Sequence, residues 1–266
     1  MVRGARPTPI RGLKLAEPPR IYQPHLMDSP APALEGEDFH YLVHVLRKKI
    51  GDRLVLFGFT NQERVCAIRD IDSHSLHLEV LETRERETES KVALTLAVAT
   101  GKGKKLEEIV EAATALGIRR IVPFVGRRSV SKRENPRLPD RLQSIAVSAS
   151  RQSGRMIVPA VSPVLPDLKS ALDETATNDT TLFHLDEAGG MEAVQGVSRW
   201  KSGKPAILFC GPEGGWADEE REALREAGAV PITLGPRILR TELAAIIAVG
   251  LFERLLSDRL ENPDRA

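Results

Sequence analysis

The C-terminal two-thirds of this sequence alternates between short apolar runs and amphipathic helix patterns, and this alternation constrains the fold more than any other feature. The first run, VALTLAVAT at 92–100, is apolar at nearly every position, as is typical of a strand with both faces of its sheet covered. The segment after it, KLEEIVEAATAL, places Leu106, Ile109 and Ala113 on one helix face. Further strand and helix patterns follow in turn, so we predict a mostly parallel α/β sheet.

The remaining elements of this region follow from the same patterns. We predict strands in IRRIVPFV, TTLFHLD, AILFC and VPITLG. We predict helices in RLPDRLQSIAVSASRQ, DEEREALREAG and TELAAIIAVGLFERLLSD, with Thr241 as the N-cap of the last one. Ligands of open α/β sheets bind beyond the carboxyl ends of the strands, so functional residues are expected there.

The N-terminal third has a different pattern. The segment GEDFHYLVHVLRKKI (36–50) has helical spacing and ends at Gly51 and Asp52, whereas RLVLFGF, RVCAIRDI and SLHLEVL are short β-rich runs. We predict a small β-barrel with one helix packed on it, followed by a charged linker at 82–91. The basic, Pro-rich N-terminus is expected to be a flexible arm. The predicted divisions are an arm at 1–19 and domains at 20–88 and 91–262.

Composition narrows the class of protein. The 38 Lys and Arg residues nearly balance the 37 Asp and Glu residues, so any nucleic-acid binding must use local basic patches. No apolar run is long enough to cross a bilayer. Cys66 and Cys210 lie in apolar runs and are interpreted as buried reduced thiols, which favours the cytosol. His40 and His44 are spaced i, i+4, but without a supporting Cys or carboxylate cluster we predict no metal site.

The segment ILFCGPEGGWADEE at 207–220 is a candidate ligand site, because GPEGG interrupts an apolar strand and an acidic helix start. Glycines in that position often bind phosphate, yet the usual Lys-Ser/Thr pair is absent and Glu213 lies inside the turn. Glycines also allow close approach of backbone groups, which can bind the edge of an adenine. S-adenosylmethionine has an adenine, no phosphate and a positive sulfur, so it fits this turn, although other ligands are not excluded.

A second glycine-marked turn, TLGPRILRTE, follows the strand predicted at 230–234. Each turn alone could be a tight connection with no function, since single glycine motifs are weak signals. Both turns, however, contain Gly-Pro and an ionisable side chain, and we expect them on neighbouring strands. Together they favour one shared site.

Five segments then occur in an order that resembles a known family. They are HYLVHVLRKKIGD, GKGKKLEEIVEAATALGIRRIVPF, SASRQSGRMIVPAV, GPEGGW and LGPRILRTELAA. From about Arg20 to Leu256 the chain resembles the bacterial 16S ribosomal RNA uridine N3-methyltransferases of the RsmE type, which belong to the SPOUT methyltransferases. The resemblance implies a SPOUT-type parallel α/β sheet with a C-terminal trefoil knot and a preceding PUA-like RNA-binding β-barrel. It also implies S-adenosylmethionine as cofactor, a homodimer, and 16S rRNA of the small ribosomal subunit as partner in the cytoplasm.

The resemblance also implies the residues of a cofactor site. They are Leu185, Cys210, Gly211, Pro212, Glu213, Gly214, Gly215, Leu234, Gly235, Ile238, Leu239 and Thr241.

Arg240 is the residue that we expect nearest to the reaction. Uracil N3 becomes a good nucleophile only when it loses its proton, and the negative charge then spreads onto O2 and O4. A fixed guanidinium could stabilise that charge. Glu242 or water could accept the proton, and Glu213 is the third catalytic candidate. The alternative for Arg240 is a structural ion pair with Glu242 or Glu213 at the helix start.

RNA contacts are expected at local basic surfaces, near helix starts and strand ends. The candidates are Arg20, Arg47, Lys102, Lys104, Lys105, Arg127, Arg128, Gln152 and Arg155, with Lys132 and Arg133 in the same basic loop as Arg127. Each one alone could equally be a solvated surface charge. Tyr22 and Trp216 could stack on a base, or could be packing residues.

The chain departs from the family pattern at four positions. Ala112 and Ala115 replace a usual Lys and Glu, Arg151 replaces a usual Glu, and Leu243 replaces a usual Thr. Partners of one ion-pair network can be lost together, so we expect the missing charges to be structural or RNA-orienting and the enzyme to be active.

Two other functions remain open from the sequence. One is a ribosome-binding module with this fold and little transfer activity, and the other is a nucleotide-phosphate enzyme, disfavoured by the absent Lys-Ser/Thr pair. The target nucleotide, and whether the substrate is naked RNA or an assembled subunit, do not follow from the sequence.

Overall fold

The computed structural model describes residues 18–129 and 136–262, and its N-terminal part is a curled five-stranded sheet. The strands run in the order β1-β3-β4-β5-β2, and only β1 and β3 pair in parallel. Their bounds are β1 Arg20–Tyr22, β2 Ala33–Glu35, β3 Arg53–Phe57, β4 Gln62–Ile71 and β5 Ser75–Glu85. The alternating apolar side chains of these strands form one core, which includes Ile21, Leu34, Leu54, Ile68 and Leu76. The β-rich N-terminal region that the sequence predicts is confirmed.

Two boundaries differ from the prediction. Helix α1 covers only Gly36–His40 and continues as one π-helical turn, Tyr41–Val45, instead of reaching residue 50. The chain turns away there because Arg47 takes a left-handed conformation (φ 54°) and the Lys48 amide donates to the Leu42 carbonyl. The first part of the predicted linker 82–91 belongs to β5, since its backbone pairs with β4 despite its charged side chains.

The second sheet has seven strands, all parallel, in the order β10-β12-β9-β11-β6-β7-β8. The bounds are β6 Leu94–Ala99, β7 Arg120–Phe124, β8 Ala160–Val161, β9 Thr181–Leu185, β10 Met191–Glu192, β11 Ala206–Cys210 and β12 Val230–Thr233. Every residue of β6, β9 and β11 is buried, which is why these runs are mostly apolar; Thr95, Thr181 and His184 are the polar exceptions. The predicted parallel α/β class is confirmed.

Helices cover both faces of this sheet. Helices α2, α3 and α7 pack their apolar sides on one face, in a core that includes Leu106, Leu142 and Phe252. Helices α4 and α6 pack on the other face through Leu168 and Leu224. The bounds are α2 Lys105–Ala115, α3 Leu138–Ser153, α4 Leu168–Thr175, α5 Ala193–Gly196, α6 Asp218–Glu226 and α7 Thr241–Glu261. Burial of these apolar sides stabilises the fold at roughly 25 cal/mol per Å² of apolar surface.

The structure also bears on the helix cap, the cysteines, membrane spans and metal ligands. Helix α7 starts with Thr241 as its first helical residue, so Arg240 occupies the N-cap that we assigned to Thr241, and no side chain caps the helix. Both cysteines are buried free thiols, as expected. Within the described ranges no helix is long and apolar enough to span a membrane. In the same ranges, no group of three His, Cys, Asp or Glu side chains could hold a metal ion.

Candidate functional site

A cleft of about 640 Å³ lies at the carboxyl ends of β9, β11 and β12. The two glycine-marked turns follow β11 and β12, but our expectation that these strands are neighbours is wrong, because β9 pairs with both and lies between them. The error arises from chain order, in which β11 and β12 are consecutive. The cleft therefore has three contributing segments, and the third is the end of β9 at Leu185.

All twelve residues expected to bind a cofactor line this one cleft. They are Leu185, Cys210, Gly211, Pro212, Glu213, Gly214, Gly215, Leu234, Gly235, Ile238, Leu239 and Thr241. Ile238 is 90 % exposed, although an isoleucine on a loop normally buries more of its surface. The cleft thus presents an exposed apolar side chain beside glycine backbone, an arrangement suited to a flat aromatic ligand.

The turn after β11 depends on glycine at two positions for different reasons. Gly215 is left-handed (φ +69°), and a Cβ there would lie 2.3 Å from Oε1 of Glu187. A Cβ on Gly211 would lie 2.9 Å from the ring of Trp216. Trp216 itself is fully buried, and its indole N–H donates to the Leu185 carbonyl at 2.7 Å. The suggestion that Trp216 stacks on a base is therefore wrong, because the ring is an internal support that joins the β11 turn to the end of β9.

Three acidic residues that line the cleft, Asp186, Glu187 and Glu192, were not predicted from the sequence. Asp186 and Glu187 follow β9, and Arg221 of α6 binds both, with nitrogen–oxygen distances of 3.1 Å to each. Arg221 also donates to the Trp216 carbonyl at 2.9 Å, so it links two of the three segments. The available signal was LDEAGG, since acidic residues and glycines directly after an apolar strand are the pattern that marked the other two turns.

Acidic side chains outnumber basic ones among the residues that line the cleft, where Arg237 is the basic residue. Asp186, Glu187, Glu192 and Glu213 all line it. Burial alone would raise the pKa of Asp186, but hydrogen bonds from Arg221 and from the Ala188 amide hold that pKa below its usual range. Burial raises the pKa of the Cys210 thiol to about 12, so Cys210 lines the cleft as a neutral group. These charges favour a cationic ligand over a phosphate.

Two of the three catalytic candidates, Glu213 and Glu242, pair with Lys105. Its Nζ lies 3.1 Å from Oε1 of Glu213 and 3.3 Å from Oε2 of Glu242. The guanidinium of Arg240 has no ion-pair or hydrogen-bond partner in the part of the chain that the structure describes. The alternative in which Arg240 pairs with Glu213 or Glu242 is therefore wrong, because Lys105 already binds both acids.

Six of the nine RNA candidates have exposed side chains. They are Arg47, Lys102, Lys104, Arg127, Arg128 and Gln152. Two of the six touch the cofactor turn directly: the Lys102 amide donates to Glu213 at 3.3 Å, and the Arg128 guanidinium donates to the Gly214 carbonyl at 3.2 Å. Basic side chains thus border the cleft on the side of β6 and β7. Lys132 and Arg133 lie outside the described residues.

The other three candidates are engaged inside the protein. Arg155 is only 4 % exposed, binds Glu89 at 2.6 Å, and donates to the carbonyls of Thr114 and Ile118. Arg20 pairs with the fully buried Glu63 and donates to the Arg155 carbonyl at 2.7 Å. Burial in ion pairs with carboxylates argues against RNA contact by Arg20 and Arg155. The Lys105 side chain is partly exposed, so RNA contact by Lys105 stays a prediction.

Tyr22, suggested as a stacking residue, is half-buried and packs on Phe57 at a ring-centroid distance of 5.5 Å. Arg20 lies over the same Phe57 ring, 4.6 Å from its centroid. This cluster joins β1 to the barrel core. We therefore interpret Tyr22 as a packing residue.

The departures from the family pattern differ in their surroundings. Arg151 on α3 pairs with Asp38 on α1 at 3.2 Å, and Asp38 also accepts a hydrogen bond from Gln23 at 2.6 Å. Arg151 thus connects the two sheets, in keeping with a structural part for that position. Ala112 is half-buried and Ala115 is exposed on α2, and Leu243 is 46 % exposed on α7.

Comparison with known proteins agrees with this geometry. Residues 88–253 match the model of an RNA methyltransferase domain, and residues 34–81 match that of an RNA methyltransferase PUA domain. The chain therefore contains an RNA methyltransferase domain that is preceded by a PUA domain.

Individual relatives identify the family within the RNA methyltransferases. Ribosomal RNA small subunit methyltransferase E of Bacillus subtilis is 30% identical over 84% of this chain and 90% of its own length. The Rickettsia conorii protein of the same name is 32% identical over 84% and 88%. The crystal structure of the Neisseria gonorrhoeae enzyme of that name, bound to S-adenosyl methionine, has a TM-score of 0.79 at 27% identity, over 90% of this chain and 98% of that one. A Legionella pneumophila methyltransferase with bound SAM has a TM-score of 0.80 at 27% identity, over 89% and 97%. This chain belongs to the ribosomal RNA small subunit methyltransferase E family.

Proposed function

We propose that this protein transfers a methyl group from S-adenosylmethionine to N3 of a uridine in 16S rRNA of the small ribosomal subunit. The single observation that carries the proposal is the cleft at the ends of β9, β11 and β12, because all twelve cofactor candidates line it. Solved relatives of the same fold hold this cofactor, which supports the assignment.

The cleft fits that cofactor on its own chemistry. Gly215 is left-handed, and a Cβ there would collide with Glu187, so the position requires glycine. Because glycine has no side chain, a ligand can approach the backbone of this turn closely, and we call the turn the cradle. The acidic wall of Asp186, Glu187 and Glu213 suits a sulfonium and an ammonium, and disfavours phosphate. The glycine turn and the loop from Leu234 to Leu239 would hold the adenosine part. When bound, S-adenosylmethionine supplies a methyl group activated by its positive sulfur.

The side chains of the protein would supply the rest of the reaction. Arg240 is exposed and free of partners in the described part of the chain, so its guanidinium can meet charge that develops on O2 or O4 of uracil. The N3 proton passes to Glu242 or to water. Orientation of the base against the cleft contributes the remaining acceleration, since holding two reactants in place removes much of the entropic barrier.

The wider architecture forms part of the same proposal. Residues 20–88 would be the PUA-like RNA-binding domain and 91–262 the SPOUT methyltransferase domain with its trefoil knot. We propose a homodimer that works in the cytoplasm. The exposed basic residues Lys102, Lys104, Arg127 and Arg128 would contact RNA phosphates beside the cleft.

The experiment is methyl transfer in vitro to two substrates, small subunits and naked 16S rRNA from a strain that lacks this modification. The modified nucleoside is identified by mass spectrometry after nuclease digestion. We expect 3-methyluridine at one position. Methylation of another atom would refute the chemical assignment. An inactive wild type that gains activity in the Ala112→Lys/Ala115→Glu variant would instead favour a ribosome-binding module whose catalytic charges have been lost.

A further inference from the structure

Lys105 joins three parts of the chain that are distant in sequence. It is the first residue of α2, Glu213 lies in the turn after β11, and Glu242 lies in the first turn of α7. The Lys105 Nζ is 3.1 Å from Glu213 Oε1 and 3.3 Å from Glu242 Oε2. One ammonium therefore binds both acidic catalytic candidates, of which Glu242 is the one considered as proton acceptor.

The contact between Lys105 and Glu242 supplies the charge partner of a largely buried carboxylate. Its side chain is 14 % exposed, and Oε2 accepts no hydrogen bond among the described residues, so the Lys105 ammonium is the charge that compensates it. Glu213 has a second contact, the Lys102 amide at 3.3 Å. Two carboxylates that lie near one cation repel each other less than they would without it. Lys105 supplies that cation for Glu213 and Glu242.

The position of this triad relates it to the reaction. Glu213 and Thr241, the neighbour of Glu242, line the large cleft, while Lys105 lies behind them against Thr241 and Pro212 in a small adjoining cavity. Arg240 lies two residues before Glu242 and is left without a partner in the described ranges. Among the described residues both acids pair with Lys105, and neither pairs with Arg240.

We propose that Lys105 is a positioning residue that holds the Glu213 and Glu242 side chains against one ammonium and leaves Arg240 free for the substrate. The inference rests on the proposed methyl transfer, which gives these side chains their roles. It differs from the RNA contact that the sequence suggested for Lys105, because it requires the ammonium to be held by two carboxylates of the protein.

The charged groups around Glu213 give the sign of the expected pH effect. Lys105 faces it from α2, Lys102 from the loop before α2, Glu242 from α7, and Arg128 binds the neighbouring Gly214 carbonyl. The Lys105 ammonium is the main cause that holds the pKa of Glu213 below its usual range. Removal of Lys105 should therefore raise that pKa, and the acid limb of the rate profile should move to higher pH.

The test compares Lys105→Met and Lys105→Arg with a matched control, Lys169→Met, which removes an exposed lysine ion pair on α4 far from the cleft. Single-turnover methyl transfer is measured against pH at saturating S-adenosylmethionine, and cofactor affinity is measured by calorimetry. For Lys105→Met we expect a rate loss of about a hundredfold, a cofactor Kd within about threefold of wild type, and an acid limb at higher pH. Lys105→Arg should recover most of the rate, and Lys169→Met should match wild type.

Two results would overturn the proposal: an unchanged rate and pH profile in Lys105→Met, or equal losses of rate and cofactor affinity, which would indicate a merely structural contact. If Lys105→Met is too unstable to assay, Lys105→Gln removes the charge while it keeps polar contacts, and the same outcomes apply. A carbon-13 titration of the Glu213 and Glu242 carboxyl groups, assigned with Glu→Gln variants, needs no activity. If the wild type transfers no methyl group, the proposed function fails, and this titration still decides the role of Lys105: a raised Glu213 pKa in Lys105→Met supports it, and an unchanged one refutes it.

Discussion

The cleft and the contact between the two sheets both contain charged side chains, but the two regions use charge in opposite ways. In the contact region, Arg20 and Arg155 are buried and each is paired with a carboxylate, Glu63 or Glu89. At the cleft, acidic side chains line the open space, and the exposed Arg240 lies between the lining residues Leu239 and Thr241 with no partner among the described residues.

This difference shows how to tell structural from functional charge in this molecule. A buried ion pair that loses one partner leaves an uncompensated charge, so its first effect is on stability. A charge held at a cleft without a partner contributes little to stability, and its effect should appear in binding or rate. Mutations in the contact region should therefore change stability, and mutations at the cleft should change binding or rate. The predictions below test this difference, from the largest expected effect to the smallest.

The largest effect is expected for Arg240→Ala. The rate of methyl transfer should fall by about a hundredfold or more, because one donor to a developing negative charge is removed. The cofactor Kd should stay within about threefold, since this charge is needed mainly in the transition state. Kinetics and calorimetry check both values. Arg225→Ala, which breaks an exposed pair on α6, is the control and should have no effect on either. Parallel losses of rate and affinity would place Arg240 in ground-state recognition instead.

The second effect concerns Arg155→Leu, which should reduce the free energy of unfolding by about 3 kcal/mol. The change strands Glu89 and leaves the Thr114 and Ile118 carbonyls without their donor. Denaturant unfolding measures the loss, and RNA affinity of the folded fraction should not change. A selective loss of RNA affinity with wild-type stability would contradict the structural role.

The same ion pair predicts a pH dependence. Burial alone would raise the pKa of Glu89, but the Arg155 guanidinium and the amides of Met156 and Ile157 outweigh it and hold that pKa below its usual range. A carboxyl with a lowered folded-state pKa contributes stability above its unfolded-state pKa, and the contribution is lost as pH falls through the folded-state value. The stability difference between wild type and Arg155→Leu should therefore shrink in acid, below the ordinary range of a glutamate.

The third effect is expected for Gly215→Val, which should weaken cofactor binding by about thirtyfold, or about 2 kcal/mol. The new side chain would collide with Glu187 and close the cradle. Gly203→Val is a matched control, because Gly203 is also left-handed (φ +75°) but has no atom within 4 Å of its Cβ position. Both variants should lose about 1 kcal/mol of stability from backbone strain, and only Gly215→Val should lose affinity. Equal cofactor affinity in the two variants would make the turn purely structural.

The smallest effects are expected on the exposed basic border of the cleft. Lys102→Ala and Arg127→Ala should each weaken RNA binding modestly and reduce the slope of log K against log salt by about one. Filter binding at several salt concentrations measures both values. Wild-type salt slopes in both variants would indicate that RNA binds at another surface of the protein.

The sequence could predict the residues of the cleft more completely than the partners of the charged side chains. Gly211, Gly215 and Gly235 report local backbone geometry, so their meaning could be inferred from neighbouring residues alone. The partner of Arg155 is Glu89, and that of Arg20 is Glu63, and both lie many residues away in segments that look like solvated linker or strand. Such pairings depend on how the two sheets meet. For the same reason, the position of β9 between β11 and β12, and the shared hold of Lys105 on two acids, could not be predicted from periodicity.

The central claim is that the cleft at the ends of β9, β11 and β12 holds the cofactor while the arginines between the sheets hold the fold. A crystal structure with S-adenosylhomocysteine tests this claim most directly. We predict the ligand between the turn at 211–215 and the loop at 234–239, with Lys105 still bound to both acids and Arg155 still bound to Glu89. Ligand density at any other place would contradict the account. So would the absence of density at S-adenosylhomocysteine concentrations well above its Kd in solution.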